Sequence, residues 1–175
     1  MIPATQAALS AVQAYSLKTQ ATANNVANLD TDGFKGDLVT LSSQLPQGVT
    51  TNVSKDTSAG ALLPEMTSTG EEEMVEQSNV DLAKEMVAAT ELIVGKQEQF
   101  ESVGISPDED IDKTKNKITE ALKKADSGDG VIILTDMFGG TPSNISLSFL
   151  EEGKVEVVTG VNLPMLIKLN TYREG

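Results

Sequence analysis

Val131-Ile132-Ile133-Leu134-Thr135-Asp136-Met137-Phe138-Gly139-Gly140-Thr141-Pro142-Ser143-Asn144 decides how the second half of the chain folds. Its first five residues are apolar or β-branched without a break. That pattern marks a strand buried on both faces of a parallel sheet. The strand ends at Asp136. Gly139 and Gly140 then let the backbone approach an anion without interference from a Cβ. Thr141 is placed to cap a following helix, whose N-terminus favours negative charge. Two readings of the string stand equal on these grounds. One is a phosphate site; the other is a capped loop in which Asp136 hydrogen-bonds its neighbours.

Working outward, the same alternation continues in both directions. Upstream, Asn79 or Asp81 can cap a helix whose apolar stripe is Leu82, Met86, Ala89 and Ile93, stopped by Gly95. Phe100–Ile105 reads as a short strand, followed by the loop Ser106-Pro107-Asp108. A third helix spans about 110–126, with Ile111, Ile118, Leu122 and Ala125 on one face. Downstream, a helix at about 142–151 closes at Gly153. The strand Val155–Thr159 follows, then a last helix from Leu163 with Pro164 in its first turn. Helix and strand alternate over 79–175, which predicts α/β organisation with parallel strands.

Residues 1–78 follow another grammar. Over 4–29, Leu9, Val12, Ser16, Thr19, Ala23 and Val26 recur at alternating steps of three and four. That is the seam of a coiled-coil-like helix, weak because half its members are small or polar. The helix ends near Asn28–Gly33, where Asp30-Thr31-Asp32-Gly33 is a turn cluster with Gly33 suited to a left-handed backbone. Residues 34–70 are rich in Thr, Ser, Gly and Pro and read as loop plus a weak hairpin, with strands at Val49–Val53 and around Ala61–Met66. The fold class expected is mixed: an N-terminal helical segment with a weak hairpin, then an incomplete α/β domain.

Composition excludes several functions. The net charge of −13 is spread over both halves, so nucleic acid and anionic lipid are repelled. Glu71-Glu72-Glu73 reads as a solvated acidic patch. The chain has no Cys and no His, which removes thiolate chemistry, the usual metal ligands and the usual neutral-pH acid–base group. No metal site and no cofactor are expected. No apolar run approaches the ~18–20 residues of a membrane span, and no signal peptide is visible at the N-terminus.

Two resemblances follow from quoted residues. Ala23-Asn24-Asn25-Val26-Ala27-Asn28-Leu29-Asp30-Thr31-Asp32-Gly33-Phe34-Lys35 resembles the N-terminal signature of flagellar basal-body rod and hook proteins, and Gln77–Val87 resembles their C-terminal signature. This likeness covers about 1–88. It implies an assembly interface carried by Leu9, Val12, Asn24, Asn25, Asn28, Gly33, Phe34, Asn79 and Asp81. It also implies flagellar axial partners or self-association through helices, and a place in the basal body reached without a cleaved signal. After Val87 the chain departs from the rod pattern, continuing as Ala88-Ala89-Thr90-Glu91-Leu92-Ile93-Val94-Gly95.

The string at 131–144, with Val155–Gly160 and Val161–Leu166, resembles the enzyme IIA domain of mannose-type sugar phosphotransferase systems. This likeness covers about 82–175. It implies a phosphoryl site to which Asp136, Phe138, Gly139, Gly140, Thr141 and Pro142 belong, other phosphotransferase components as partners, and a cytoplasmic location as the alternative to the basal body. The family's phospho-accepting His sits at the end of a first strand. Here the matching place is Glu76–Val80, which has no His and no apolar strand before it. The site is therefore a remnant, no catalytic residue is assigned, and the loss of an inner strand leaves its neighbours' edges unpaired.

The two likenesses overlap in Asp81–Val87. The expectation is three parts: a rod-type segment over 1–80, a seam helix shared over 81–94, and a truncated IIA-like domain over 95–175. A break near Val87–Ala89 counts against one shared helix. The leading functional reading is a structural, assembly-type protein with a catalytically incomplete appendage. The alternative is a sugar-system phosphocarrier.

Overall fold

A computed structural model describes residues 3–44, 48–106 and 109–173. The chain divides into two compact units, Met1–Glu85 and Met86–Gly175.

The first unit opens with helix α1, Pro3–Ala27. Two antiparallel hairpins follow. Strand β1 (Asp37–Ser43) pairs with β2 (Val49–Lys55), with Val39 opposite Val53 and Leu41 opposite Thr51. Strand β3 (Leu62–Met66) pairs with β4 (Glu72–Glu76), with Leu63 opposite Val75. The single weak hairpin expected over 34–70 is thus two. Strands β1 and β4 escaped the sequence reading because each gains its definition from the partner across the turn, not from a long apolar run.

Helix α1 packs on the first hairpin, and it does so with the unexpected face. Ala14, Ala21 and Asn25 are buried. Val49 donates its backbone N–H to Ser10 Oγ at 3.1 Å and ties the helix to β2. The seam read from the sequence lies elsewhere: Leu9, Val12 and Val26 are exposed, Val12 by 67%. Small residues let the hairpin backbone approach closely, so the alanine face wins the intrachain contact. The larger side chains are left outside.

Helix α2, Leu82–Val94, is continuous through Val87–Ala89. Asp81 caps it, accepting from Ala83 N at 3.0 Å and Lys84 N at 3.3 Å. Asn79, the other cap candidate, is engaged elsewhere.

In the second unit α3, Ile111–Ala125, starts at an Asp110 cap and buries Thr114 and Ile118. Ile111, expected on the same face, is exposed. The expected strand at Phe100–Ile105 does not form. A strand exists only as one member of a ladder, and no partner strand lies on either side of this segment among the described residues. Part of the loop expected after it, Pro107-Asp108, falls outside those residues.

Strands β5 (Val131–Thr135) and β6 (Val155–Thr159) pair in parallel, Val131 opposite Val155 and Thr135 opposite Thr159. This confirms the parallel α/β grammar, with one correction. Strand β5 is not buried on both faces. Thr135 is buried, whereas Ile132 is half exposed and Val158, in the neighbouring row of the same face, is exposed as well. Between the strands lies α4, Thr141–Ser146, continued by a 3₁₀ turn Leu147–Phe149. The long helix expected over 142–151 is therefore short and tightens at its end. Helix α5, Leu163–Arg173, follows β6 and buries Leu166 and Asn170. Among the described residues no helix is long and apolar enough to cross a membrane.

Candidate functional site

The loop that joins β5 to α4, with the first turn of α4, holds the six residues of the expected phosphoryl remnant. Asp136 leaves the end of β5 exposed, and its Oδ1 accepts from the Met137 N–H at 2.7 Å. Met137 and Phe138 project outward, Phe138 by 75%. Gly139 has φ +86°, a backbone state that side-chain-bearing residues avoid. Gly140 is the N-cap of α4 and makes no side-chain cap bond. Thr141 is therefore the first helical residue and not the cap, and Pro142 sits beside it in the first turn, where its missing N–H costs nothing.

The loop is held by Asn144, a residue that the sequence analysis assigned no role. Asn144 donates Nδ2–H to the Gly139 carbonyl at 3.1 Å, and its own N–H to Gly140 O at 2.9 Å. Two hydroxyls flanking the loop, Thr135 Oγ1 and Ser143 Oγ, are buried without a hydrogen-bond partner. Among the described residues, no group of three or more carboxylates stands close enough to hold a metal ion.

The signature residues of the first unit gather around the turn after α1. Gly33 has φ +63°, as the turn required. The Asn25 amide, buried to 3% exposure, clamps the start of β1. Its Oδ1 accepts from Asp37 N at 2.7 Å, its Nδ2 donates to Asp37 O at 2.9 Å, and the second Nδ2 hydrogen reaches Glu85 Oε1 at 2.8 Å. Asn79 clamps the preceding residue. Its Oδ1 accepts from Gly36 N at 2.8 Å, while Nδ2 donates to the carbonyls of Asp56 and Ser58. Asn24 donates to Asp37 Oδ2, and Asn28 bonds back to Asn24 O. The Phe34 ring carries the Lys55 ammonium 4.9 Å from its centroid.

The nine residues expected at an assembly interface thus separate. Asn24, Asn25, Asn28, Gly33, Phe34, Asn79 and Asp81 are brought together or spent on turns and caps inside the unit. Leu9 and Val12 stay apart on the exposed side of α1. A carboxylate the sequence did not flag, Glu76, completes the cluster. It takes Lys35 Nζ at 2.6 Å and the Gly60 N–H at 2.9 Å. The Lys35 contact, with the Gly60 amide next, holds its carboxyl below the usual range.

The family model of the PTS system fructose IIA component matches residues 77–175. The chain belongs to that family. A second model, that of the flagella basal body rod protein, matches residues 6–35, which span most of α1 and the turn through Lys35.

Curated relatives of the IIA part agree. The mannose-specific EIIAB component of the PTS system of Escherichia coli strain K12 is 32% identical over 93 residues, 53% of this chain and 29% of that protein. The fructose-specific EIIA component of Bacillus subtilis strain 168 is 34% identical over 84 residues, 47% of this chain and 58% of that protein. The sorbose-specific EIIA component of Lacticaseibacillus casei is 31% identical over 98 residues, 55% of this chain and 70% of that protein. The chain spans less than a third of the E. coli protein and somewhat over half of the Bacillus one. The IIA match begins at Gln77, two residues before Asn79, so it starts within the first unit's polar cluster.

Proposed function

We propose that the chain is a structural, assembly-type protein of the flagellar basal-body rod kind, joined to an enzyme IIA domain that does not itself carry a phosphoryl group on histidine. The observation that carries this reading is the fate of residues 76–80. In the IIA pattern this stretch would hold the accepting imidazole. Here Glu76 is the last residue of β4, Gln77 N donates to Ala61 O, and Asn79 clamps Gly36. The chain has no His at any position.

On this reading residues 1–80 form the rod-type segment, 81–94 the shared helix, and 95–175 the IIA-like domain without its histidine. Leu9 and Val12 face axial partners or another copy. The asparagines fix the shape that presents them. Asp136, Phe138, Gly139, Gly140, Thr141 and Pro142 form a phosphoryl-site remnant that binds an anion at most. The basal body is the matching location.

The second reading, a phosphocarrier of a mannose-type sugar system in the cytoplasm, is favoured by the retained Asp136–Asn144 loop and by the relatives' names. It requires an acceptor other than imidazole; among the described residues Ser78 Oγ accepts only from the Val80 N–H and so has no base to activate it, and Asp136 Oδ1 is engaged by the Met137 N–H. Incubating the chain with phosphoenolpyruvate and the general phosphotransferase proteins separates the two. An unchanged intact mass is expected, and a gain of one phosphoryl group would overturn the structural reading.

A further inference from the structure

We propose that Asp129-Gly130, in the bend between α3 and β5, is a modification site: Asp129 rearranges spontaneously to isoaspartate, and the product is a methyl acceptor for an isoaspartyl carboxyl methyltransferase. The inference goes beyond the proposed function and uses no part of the phosphoryl remnant.

The reaction needs a side-chain carboxyl, the backbone nitrogen of the next residue, and freedom for the two to meet. The Gly130 nitrogen attacks Asp129 Cγ and forms a new C–N bond. The Cγ–OH bond breaks, and the hydroxyl leaves with the amide proton as water. The product is a five-membered cyclic imide. Water then adds to one of its two carbonyls. Cleavage of the C–N bond at Cγ restores aspartate. Cleavage at the main-chain carbonyl leaves the chain running through the side chain, with a free α-carboxylate. Glycine is the favourable neighbour, because no Cβ shields the attacking nitrogen.

The sequence contains this dipeptide twice, at Asp32-Gly33 and at Asp129-Gly130. The structure separates the two. At the first, Gly33 N donates to Glu76 O at 2.6 Å. The turn around it is closed by Thr31 N to Asn28 O at 3.2 Å and by Phe34 N to Thr31 O at 3.1 Å. The nucleophile is engaged, and its bond must open before it can turn toward Asp32.

At the second, neither the Asp129 N–H nor the Gly130 N–H has an acceptor among the described residues. Gly128 N reaches back to Asp126 Oδ1 at 2.8 Å and leaves both unengaged. Residues 127–129 are exposed. Gly128 and Gly130, at φ +110° and +90°, flank Asp129 with two permissive joints.

Strand β5 survives the change. Val131 N is held by Lys154 O at 2.7 Å, and a Cβ on Gly130 would stand 2.8 Å from that same oxygen. Gly130 is therefore fitted closely at the strand's start, while Asp129 stands clear of it. Isoaspartate adds one backbone atom between them, and the bend on the Gly128 side takes it up.

Ageing the full chain at neutral pH and physiological temperature, with and without urea, tests this. Peptide fragmentation locates isoaspartate, and methyl transfer from S-adenosylmethionine by a purified isoaspartyl methyltransferase counts it. Without urea, Asp129 should convert about tenfold faster than Asp32, the ratio set by one hydrogen bond held closed. In urea the two rates should converge. Asp129→Glu keeps the charge but would need a six-membered ring, so it should remove most of the methyl acceptance. No isoaspartate at position 129 would overturn the proposal, as would conversion chiefly at Asp126. Equal rates at the two sites in the folded chain would overturn it too, and so would a preference for Asp129 that persists unchanged in urea. The two sites are compared within the unsubstituted chain, so the comparison decides the matter even if Asp129→Glu does not fold.

Discussion

Asn25 and Glu85 lie sixty positions apart and share one hydrogen bond, Nδ2 to Oε1 at 2.8 Å. The same amide reads both polar groups of the Asp37 backbone. One side chain thus fixes where β1 begins and where the stretch that leads into α2 sits within its unit. A buried amide with all its partners made is inexpensive to keep and costly to remove.

Replacing Asn25 by alanine should therefore destabilise the first unit by about 2–4 kcal/mol, because it strands the Asp37 N–H and C=O. Asn25→Asp keeps the shape, loses the Nδ2 donor and sets a carboxylate against Glu85. It should destabilise the unit too, with partial recovery at low pH. Urea unfolding followed by a probe in the first hairpin measures both.

Gly60 permits a close backbone crossing. A Cβ there would stand 1.8 Å from Gln77 O, a backbone atom that has no side chain to move aside. Gly60→Ala should cost about 1–3 kcal/mol and loosen the Gln77 N to Ala61 O bond at 2.8 Å. Faster amide exchange at Gln77 is the expected sign. An unchanged rate would show that the crossing can shift.

Three carboxyls of the first unit are held below their ordinary range. The Lys55 hydrogen bond does this for Asp37, the Ser58 N–H for Asp56, and the Lys35 hydrogen bond for Glu76. A depressed folded-state pKa means stability that is complete above the unfolded value. It is lost as pH falls through the lower folded one. The first unit should therefore weaken on acidification below the normal carboxylate range. The groups are solvent-accessible, so the effect is modest and shrinks in high salt. Lys35→Met together with Lys55→Met should flatten the acid limb of a stability–pH curve.

Thr135 Oγ1 and Ser143 Oγ are buried and unpaired, and an unpaired buried hydroxyl costs free energy. Thr135→Val and Ser143→Ala should each leave the second unit as stable as before or raise it by up to about 1 kcal/mol. Thermal melts of the two variants check this. A clear loss of stability in either would point to a partner for that hydroxyl in solution.

Much of this fold was legible in the residues themselves. The run Val131–Thr135 with Asp136-Met137-Phe138-Gly139-Gly140 gave a parallel strand and its loop, because an unbroken apolar run and a glycine pair are local signals. The change of grammar near residue 80 was equally visible, and so was the Asp81 cap. The lack of histidine bounds the chemistry without any structure.

Other features were decided only in three dimensions. Two helical faces of α1 were available, and sequence spacing favoured Leu9, Val12 and Val26. The hairpin took Ala14 and Ala21 because close approach of backbones requires small side chains. Asn25 and Asn79 gave no hint of their partners, since a clamp on Gly36 and Asp37 depends on chain segments far apart in sequence. Phe100–Ile105 has the composition of a strand and is not one. A strand is a property of a pair, and pairing is settled by what the rest of the chain places beside it.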